Sequence, residues 1–218
     1  FEIGIVMRQE RGEENVFDLS LGNPIMEPRR EFFDELRRIA ENPTLGMHRY
    51  MPNAGYLETR QAVAEGLAAE TGLAVTAKDI IMTCGAAAAI NVMLKTILDP
   101  GEEVIVLSPY FVEYGYYVDN HGGVAVVVPT DDDFLPDLVA IESAITSKTR
   151  ALVINSPNNP TGVVYPPESL AALGGLLNRK QEEFGKEIFI ISDEPYRRII
   201  FDGLTFPQVL PHYRNSVV

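Results

Sequence analysis

The sequence predicts an α/β fold: a mostly parallel sheet with helices on both faces. Three observations carry that prediction. Short apolar runs recur along the chain at Glu103–Leu107, Val124–Val128, Ala151–Asn155 and Ile188–Ile191. They alternate with helix-length segments of about ten residues or more, the pattern of βαβ units. Two of the runs, ALVINSPNNPTG (Ala151–Gly162) and IFIISDEPY (Ile188–Tyr196), end abruptly in polar residues and prolines. A buried parallel strand delivers side chains to the rim of a sheet in this way, so Asn159 and Asp193 are expected at neighbouring strand ends facing one crevice.

Taken in order, Phe1–Gln9 has apolar residues at 1, 3, 5, 6 and 7 and is read as a helix. Val16–Leu21 alternates like a half-buried strand and stops at the turn signal Gly22-Asn23-Pro24. Pro28–Ala40 places Phe32, Phe33, Leu36 and Ile39 at helical spacing, and Asn42-Pro43 ends it. A loop from Met47 to Gly55 precedes a helix at Leu57–Glu70. Asp79–Cys84 reads as a strand, followed at once by Gly85 and an alanine-rich helix to about Leu98. After the turn Asp99–Glu102 come strand Glu103–Leu107, the tyrosine-rich stretch Ser108–Tyr114, strand Val124–Val128 and helix Leu135–Ile145. Strand Ala151–Asn155, helix Pro167–Phe184 and strand Ile188–Ile191 follow, and Asn215–Val218 looks like the start of a further strand.

Bulk properties narrow the function. The 218 residues suffice for one full domain and a minor fragment of another. A hydrophobic content of 46% with 22% charged residues is that of an ordinary soluble globular protein. The net charge is −13, and the 18 lysines and arginines are scattered without a basic run, so no nucleic-acid partner is expected. Cys84 is the lone cysteine, which excludes an intrachain disulfide and fits a cytoplasmic location. No apolar stretch approaches the roughly 20 residues of a membrane span. FEIGIVMRQERGEEN lacks signal-peptide architecture, and the first residue is not Met, as in a trimmed start. No membrane partner and no metal site are expected.

The strand–Gly85–Ala86–Ala87 segment leaves helix N–H groups unpaired and pointing outwards, with the positive end of the macrodipole behind them: a phosphate site. Small residues at a helix start also serve close packing against a sheet. Asn159-Pro160-Thr161-Gly162, followed 34 residues after Asn159 by Asp193-Glu194-Pro195-Tyr196, resembles the large domain of the class I/II aminotransferases, the fold-type I group of pyridoxal 5′-phosphate (PLP) enzymes. The resemblance implies PLP as cofactor. It implies Asp193 against the pyridine nitrogen, Asn159 and Tyr196 on the phenolic oxygen, and the Gly85–Ala87 amides on the phosphate. Relatives often have a hydroxyl residue just after this glycine, and Ala86 and Ala87 offer only backbone amides. Phe111, two positions after Pro109, matches the aromatic residue that stacks on the ring, with Tyr110 or Tyr114 as alternatives. Gly22 matches a position where backbone approaches the substrate carboxylate. Tyr50, five residues before Gly55, matches a tyrosine that reaches the partner subunit's site, so a homodimer is implied.

The resemblance further implies a lysine forming a Schiff base with the cofactor. The lysines are Lys78, Lys95, Lys148, Lys180 and Lys186, none of them downstream of Tyr196, where relatives carry it. No catalytic residue is therefore expected within the chain. The Schiff-base lysine is expected after Val218, and the chain is read as truncated before it and inactive alone. On this basis residues 1–45 are expected to be an N-terminal arm and part of a small domain, and 46–218 an incomplete PLP-binding large domain. The implied activity is transfer of an amino group between an amino acid and a 2-oxo acid by a ping-pong mechanism. A PLP-dependent lyase of the same fold and a non-catalytic PLP-binding effector domain are the alternatives. A plain nucleotide-binding domain is disfavoured by the absence of G-x-G-x-x-G and Walker A motifs.

Overall fold

The structure, a computed structural model, describes residues 2–17, 22 and 26–218. Two compact units are present, Phe1–Tyr50 and Met51–Val218. The first contains helices α1 (Glu2–Arg11) and α2 (Arg30–Glu41). Of the expected strand Val16–Leu21, residues Asp18–Leu21 lie outside the described residues, as do Asn23 and Pro24.

The second unit holds α3 (Leu57–Thr71), α4 (Ala86–Ile97), β1 (Glu103–Ser108), α5 (Glu113–Asp119) and β2 (Val124–Pro129). It continues through α6 (Leu138–Ala144), β3 (Thr149–Asn155), α7 (Pro167–Phe184), β4 (Phe189–Asp193) and β5 (Ser216–Val217). The five strands form one sheet in the order β2-β1-β3-β4-β5, and every neighbouring pair is parallel.

Both faces of the sheet are covered, because each strand sends alternate side chains to opposite sides. Ile105, Leu107, Leu152, Ile154 and Ile190 meet Ile141 of α6 and Leu170, Leu173, Leu176 and Leu177 of α7. Val104, Val106, Ala151, Val153 and Ile191 meet Ile90, Leu94 and Ile97 of α4 and Tyr114, Tyr117 and Val118 of α5. The central strands are thus buried on both sides, which explains why they read as continuous apolar runs and not as alternating ones.

Three local expectations are corrected. Asp79–Cys84 is not a strand: Asp79 closes a 3-10 turn, Ala77–Asp79, in a capping box with Thr76, and Ile80 onward is extended chain. Met82 N–H donates to Ala54 O at 3.0 Å, but among the described residues no strand lies alongside, and Ile81 is largely exposed. The helix expected from Leu135 begins at Leu138. Pro136 disfavours helical geometry at Leu135, and Asp137 caps the helix by accepting from the N–H groups of Val139 and Ala140. The tyrosine-rich stretch Ser108–Tyr114, for which no helix was expected, leads into the short helix α5.

Candidate active site

Because all strands run the same way, their C-terminal ends open on one edge, and β1, β3 and β4 deliver there the loops that bear Phe111, Asn159 and Tyr196. Asp193 is the last residue of β4 and pairs in register with Asn155, the last of β3. The Asn155 amide bridges the two ends. Its Nδ2 donates to Asp193 O at 2.8 Å, and its Oδ1 accepts from the Asn159 N–H at 2.6 Å. Asn159 therefore sits in a turn beyond the strand, and the side chain of Asn155 holds that turn over the end of β4.

Further bonds stiffen the turn. Asn158 Oδ1 accepts from the Thr161 N–H and hydroxyl, the Gly162 N–H reaches Asn158 O, and Ser156 Oγ accepts from the Tyr165 N–H. After β4, Glu194 accepts from Ser192 Oγ and faces Arg197. Arg197 and Arg198 both pair with Glu70 at the end of α3, which also accepts from Gln208. This network ties the segment bearing Tyr196 to α3.

A cavity of about 210 Å³ opens at this edge, lined by Ala86, Ala87, Ile90, Phe111, Glu113, Tyr114, Tyr117, Asn155, Asn159, Asp193, Pro195 and Tyr196. Six residues singled out from sequence, Ala86, Ala87, Phe111, Asn159, Asp193 and Tyr196, thus share one wall-to-wall space. Gly85 is the N-cap of α4 at φ 85°, a conformation that only glycine adopts freely, and no side chain caps the helix. Its first-turn N–H groups are left for an external acceptor. No lysine lines the cavity. Gly22 and Tyr50 belong to the first unit, and both are exposed.

The electrostatics centre on Asp193. Its Oδ2 accepts from the Tyr114 hydroxyl at 2.6 Å, whereas its Oδ1 is buried with no partner. Burial pushes the carboxyl above its ordinary pKa, and the Tyr114 hydrogen bond pulls part of the way back. Burial together with the neighbouring Asp193 charge drives the Tyr114 hydroxyl far upwards, so it stays protonated as a donor. Tyr117 donates to Glu113 and is likewise pushed up, by burial first. A buried carboxylate oxygen with nothing to accept from is costly unless a cationic donor completes it. Sequence reasoning passed over Asn155 as a site residue and offered Tyr114 only as a stacking ring. For Tyr114 the signal was partial: Tyr114, Tyr117 and Val118 follow helical spacing, but Gly115 and tyrosines that suit strands equally well obscure it, and nothing local points to Asp193.

Comparison with known proteins identifies the family. Residues 14–216 match the family profile described as aminotransferase class I and II. The chain belongs to the class I and II aminotransferases. Within this family it is 47% identical, over 163 residues, to a probable aspartate/prephenate aminotransferase of Thermus aquaticus, covering 74% of this chain and 41% of that protein. It is 43% identical over 176 residues to the aspartate/prephenate aminotransferase of Thermus thermophilus, covering 79% of this chain and 44% of that protein. The chain therefore spans less than half the length of these relatives. The crystal structure of an amino transferase from Eubacterium rectale superposes with a TM-score of 0.94 at 39% identity, over 99% of this chain and 55% of that one. An aspartate aminotransferase structure from Thermus thermophilus with maleate gives a TM-score of 0.79 at 39% identity, over 91% and 50%. The aminotransferase fold is thus shared across the parallel sheet and its two helical layers. Among the described residues no helix is long and apolar enough to cross a membrane.

Proposed function

We propose that this chain is the cofactor-binding part of a PLP-dependent aminotransferase that moves an amino group between an amino acid and a 2-oxo acid by a ping-pong cycle. The observation that carries the reading is the buried, unpartnered Oδ1 of Asp193, a residue that lines the cavity beside the start of α4. A protonated pyridine nitrogen is a cationic N–H of the kind that oxygen lacks, so the residues present fit the cofactor. Asp193 holds the ring nitrogen protonated, Asn159 and Tyr196 donate to the phenolic oxygen, and Phe111 covers one ring face. The amides at Gly85, Ala86 and Ala87 receive the phosphate, helped by the α4 dipole. Pyridoxal phosphate, when bound, supplies an electron sink for the electron pair released as the substrate's Cα–H bond breaks.

Phe111 is favoured over Tyr110 and Tyr114 as the stacking ring. It lines the cavity, while Tyr114 meets it edge-on at 5.7 Å and has its hydroxyl committed to Asp193. Phe111→Leu is expected to weaken cofactor affinity about three- to tenfold, the worth of an aromatic contact beyond buried area. Equilibrium titration reads this, and an unchanged affinity would move the stacking role to Tyr110 or Tyr114.

The wider assignments belong to the same reading. Gly22, together with Asn159, contacts the substrate. Residues 1–45 form the arm and part of a small domain, and 46–218 the cofactor domain. The enzyme is a cytoplasmic homodimer in which the exposed Tyr50 reaches the partner's site. The relatives' names make aspartate and prephenate the first substrates to assay. Incubating the full-length protein with PLP, an amino acid and a 2-oxo acid should yield the exchanged pair with no net ammonia. Release of pyruvate with ammonia would instead identify a lyase, and no reaction with any amino acid would remove the enzymatic reading.

A further inference from the structure

A carboxylate is free to turn about its terminal torsion, which has broad wells, so an acceptor meant for one fixed donor needs something to set its plane. Asp193 has such a device. Tyr114, on the first turn of α5 and only 2% exposed, donates to Oδ2 at 2.6 Å. The tyrosine ring is itself wedged. Phe111 meets it edge-on at 5.7 Å, Tyr110 lies near-parallel at 6.5 Å, and Tyr117 is tilted against it at 6.4 Å. The other buried hydroxyl of the helix, on Tyr117, is taken by Glu113. The second carboxylate oxygen, Oδ1, is buried without a partner, on a residue that lines the cavity.

We propose that Tyr114 is a positioning residue: by occupying Oδ2 it fixes the plane of the Asp193 carboxylate and reserves Oδ1 for the ring nitrogen of the cofactor. This rests on the assignment of Asp193 to that nitrogen. The hydroxyl also favours the ionised carboxylate against the cost of burial, so removing it leaves Asp193 both less charged and less directed. A Phe at this position keeps the wedge of aromatic rings and deletes the donor alone.

The test compares the full-length protein with its Tyr114→Phe and Asp193→Asn variants. Each is titrated with pyridoxal phosphate and with the 1-deaza analogue, in which C–H replaces the ring nitrogen. The native protein should prefer the nitrogen-bearing ligand, and Asp193→Asn should abolish that preference. Tyr114→Phe should reduce it about tenfold while leaving affinity for the deaza analogue unchanged. If Tyr114→Phe keeps the native preference while Asp193→Asn loses it, the positioning role is wrong and the Asp193 assignment stands. If Tyr114→Phe weakens both ligands equally, Tyr114 acts only in packing and the proposal is overturned. If Asp193→Asn retains the preference, the Asp193 assignment fails and the proposal falls with it.

Discussion

Replacing Asp193 by alanine in the full-length protein is expected to lower the rate of amino-group exchange by at least about a hundredfold, while part of the cofactor stays bound. The size follows from the worth of a single preorganised charge at a water-poor site, about 10²–10³ in turnover. Asp193 is such a group: it lines the cavity, its carboxylate is held by one hydroxyl, and its other oxygen is buried without a partner. Residual binding is expected because the start of α4, Phe111, Asn159 and Tyr196 are untouched. Steady-state kinetics with cofactor absorbance on the same sample check both halves, and full activity in the variant would sink the assignment of Asp193 to the ring nitrogen.

The same residue gives the apo protein a pH dependence of predictable sign. Burial raises the folded-state pKa of Asp193 above its unfolded value. Its contribution to stability is therefore fully present below the unfolded pKa of about 3.9 and is lost as pH rises through the raised folded value. Above that folded pKa the apo protein carries the cost of an ionised, half-satisfied carboxylate, and Asp193→Asn relieves it. The variant's stability advantage over the native apo protein should accordingly shrink as pH falls through the folded pKa. Chemical unfolding of both apo forms at a series of pH values measures this, and a pH-independent difference would mean that Asp193 is not held ionised against burial.

Much of the architecture was legible because the strands are buried on both faces. Val104–Leu107 and Ala151–Ile154 are continuous apolar runs, and a chain that must cover both sides of a parallel sheet leaves that trace. Asp193 was legible because a polar residue directly after such a run has one place to go, the C-terminal edge, whereas Asn159 and Tyr196, three to four residues further on, were legible through the family resemblance. Ile80–Cys84 misled for the complementary reason. It has strand-like composition, but a strand exists only with a partner, and Asp79 is diverted into a turn by Thr76. The α5 helix was hidden by Gly115 and by tyrosines that suit strands equally well. Its role as the wall behind Asp193 depends on a bond spanning 79 positions, Tyr114 to Asp193, which no local pattern encodes.

The two adjacent glycines of α7 should respond oppositely to alanine. In a helix interior alanine is favoured over glycine by about 0.5–1 kcal/mol, since glycine has more backbone freedom to lose on folding. A Cβ on Gly175 meets nothing within 4 Å, so Gly175→Ala is expected to stabilise by about that amount. Gly174 is buried against the chain that leads into β5, and a Cβ there would lie 2.5 Å from the His212 carbonyl oxygen and 3.4 Å from Tyr213 Cβ. That carbonyl is backbone and cannot swing aside alone. The next residue, Tyr213, is buried with its hydroxyl on Ile188 O, and Ile190 N–H donates to Asn215 O at 2.9 Å. Relieving the overlap means shifting α7 or the β5 edge beside the strand that ends in Asp193. Overpacking of this kind costs about 1–3 kcal/mol and outweighs the gain in helix propensity. Chemical-unfolding midpoints of the two variants in the full-length protein should therefore move in opposite directions, downward for Gly174→Ala and upward for Gly175→Ala. A shared upward shift would mean that the α7–β5 contact is looser than 2.5 Å implies, and that the helix does not fix the seating of the β5 edge.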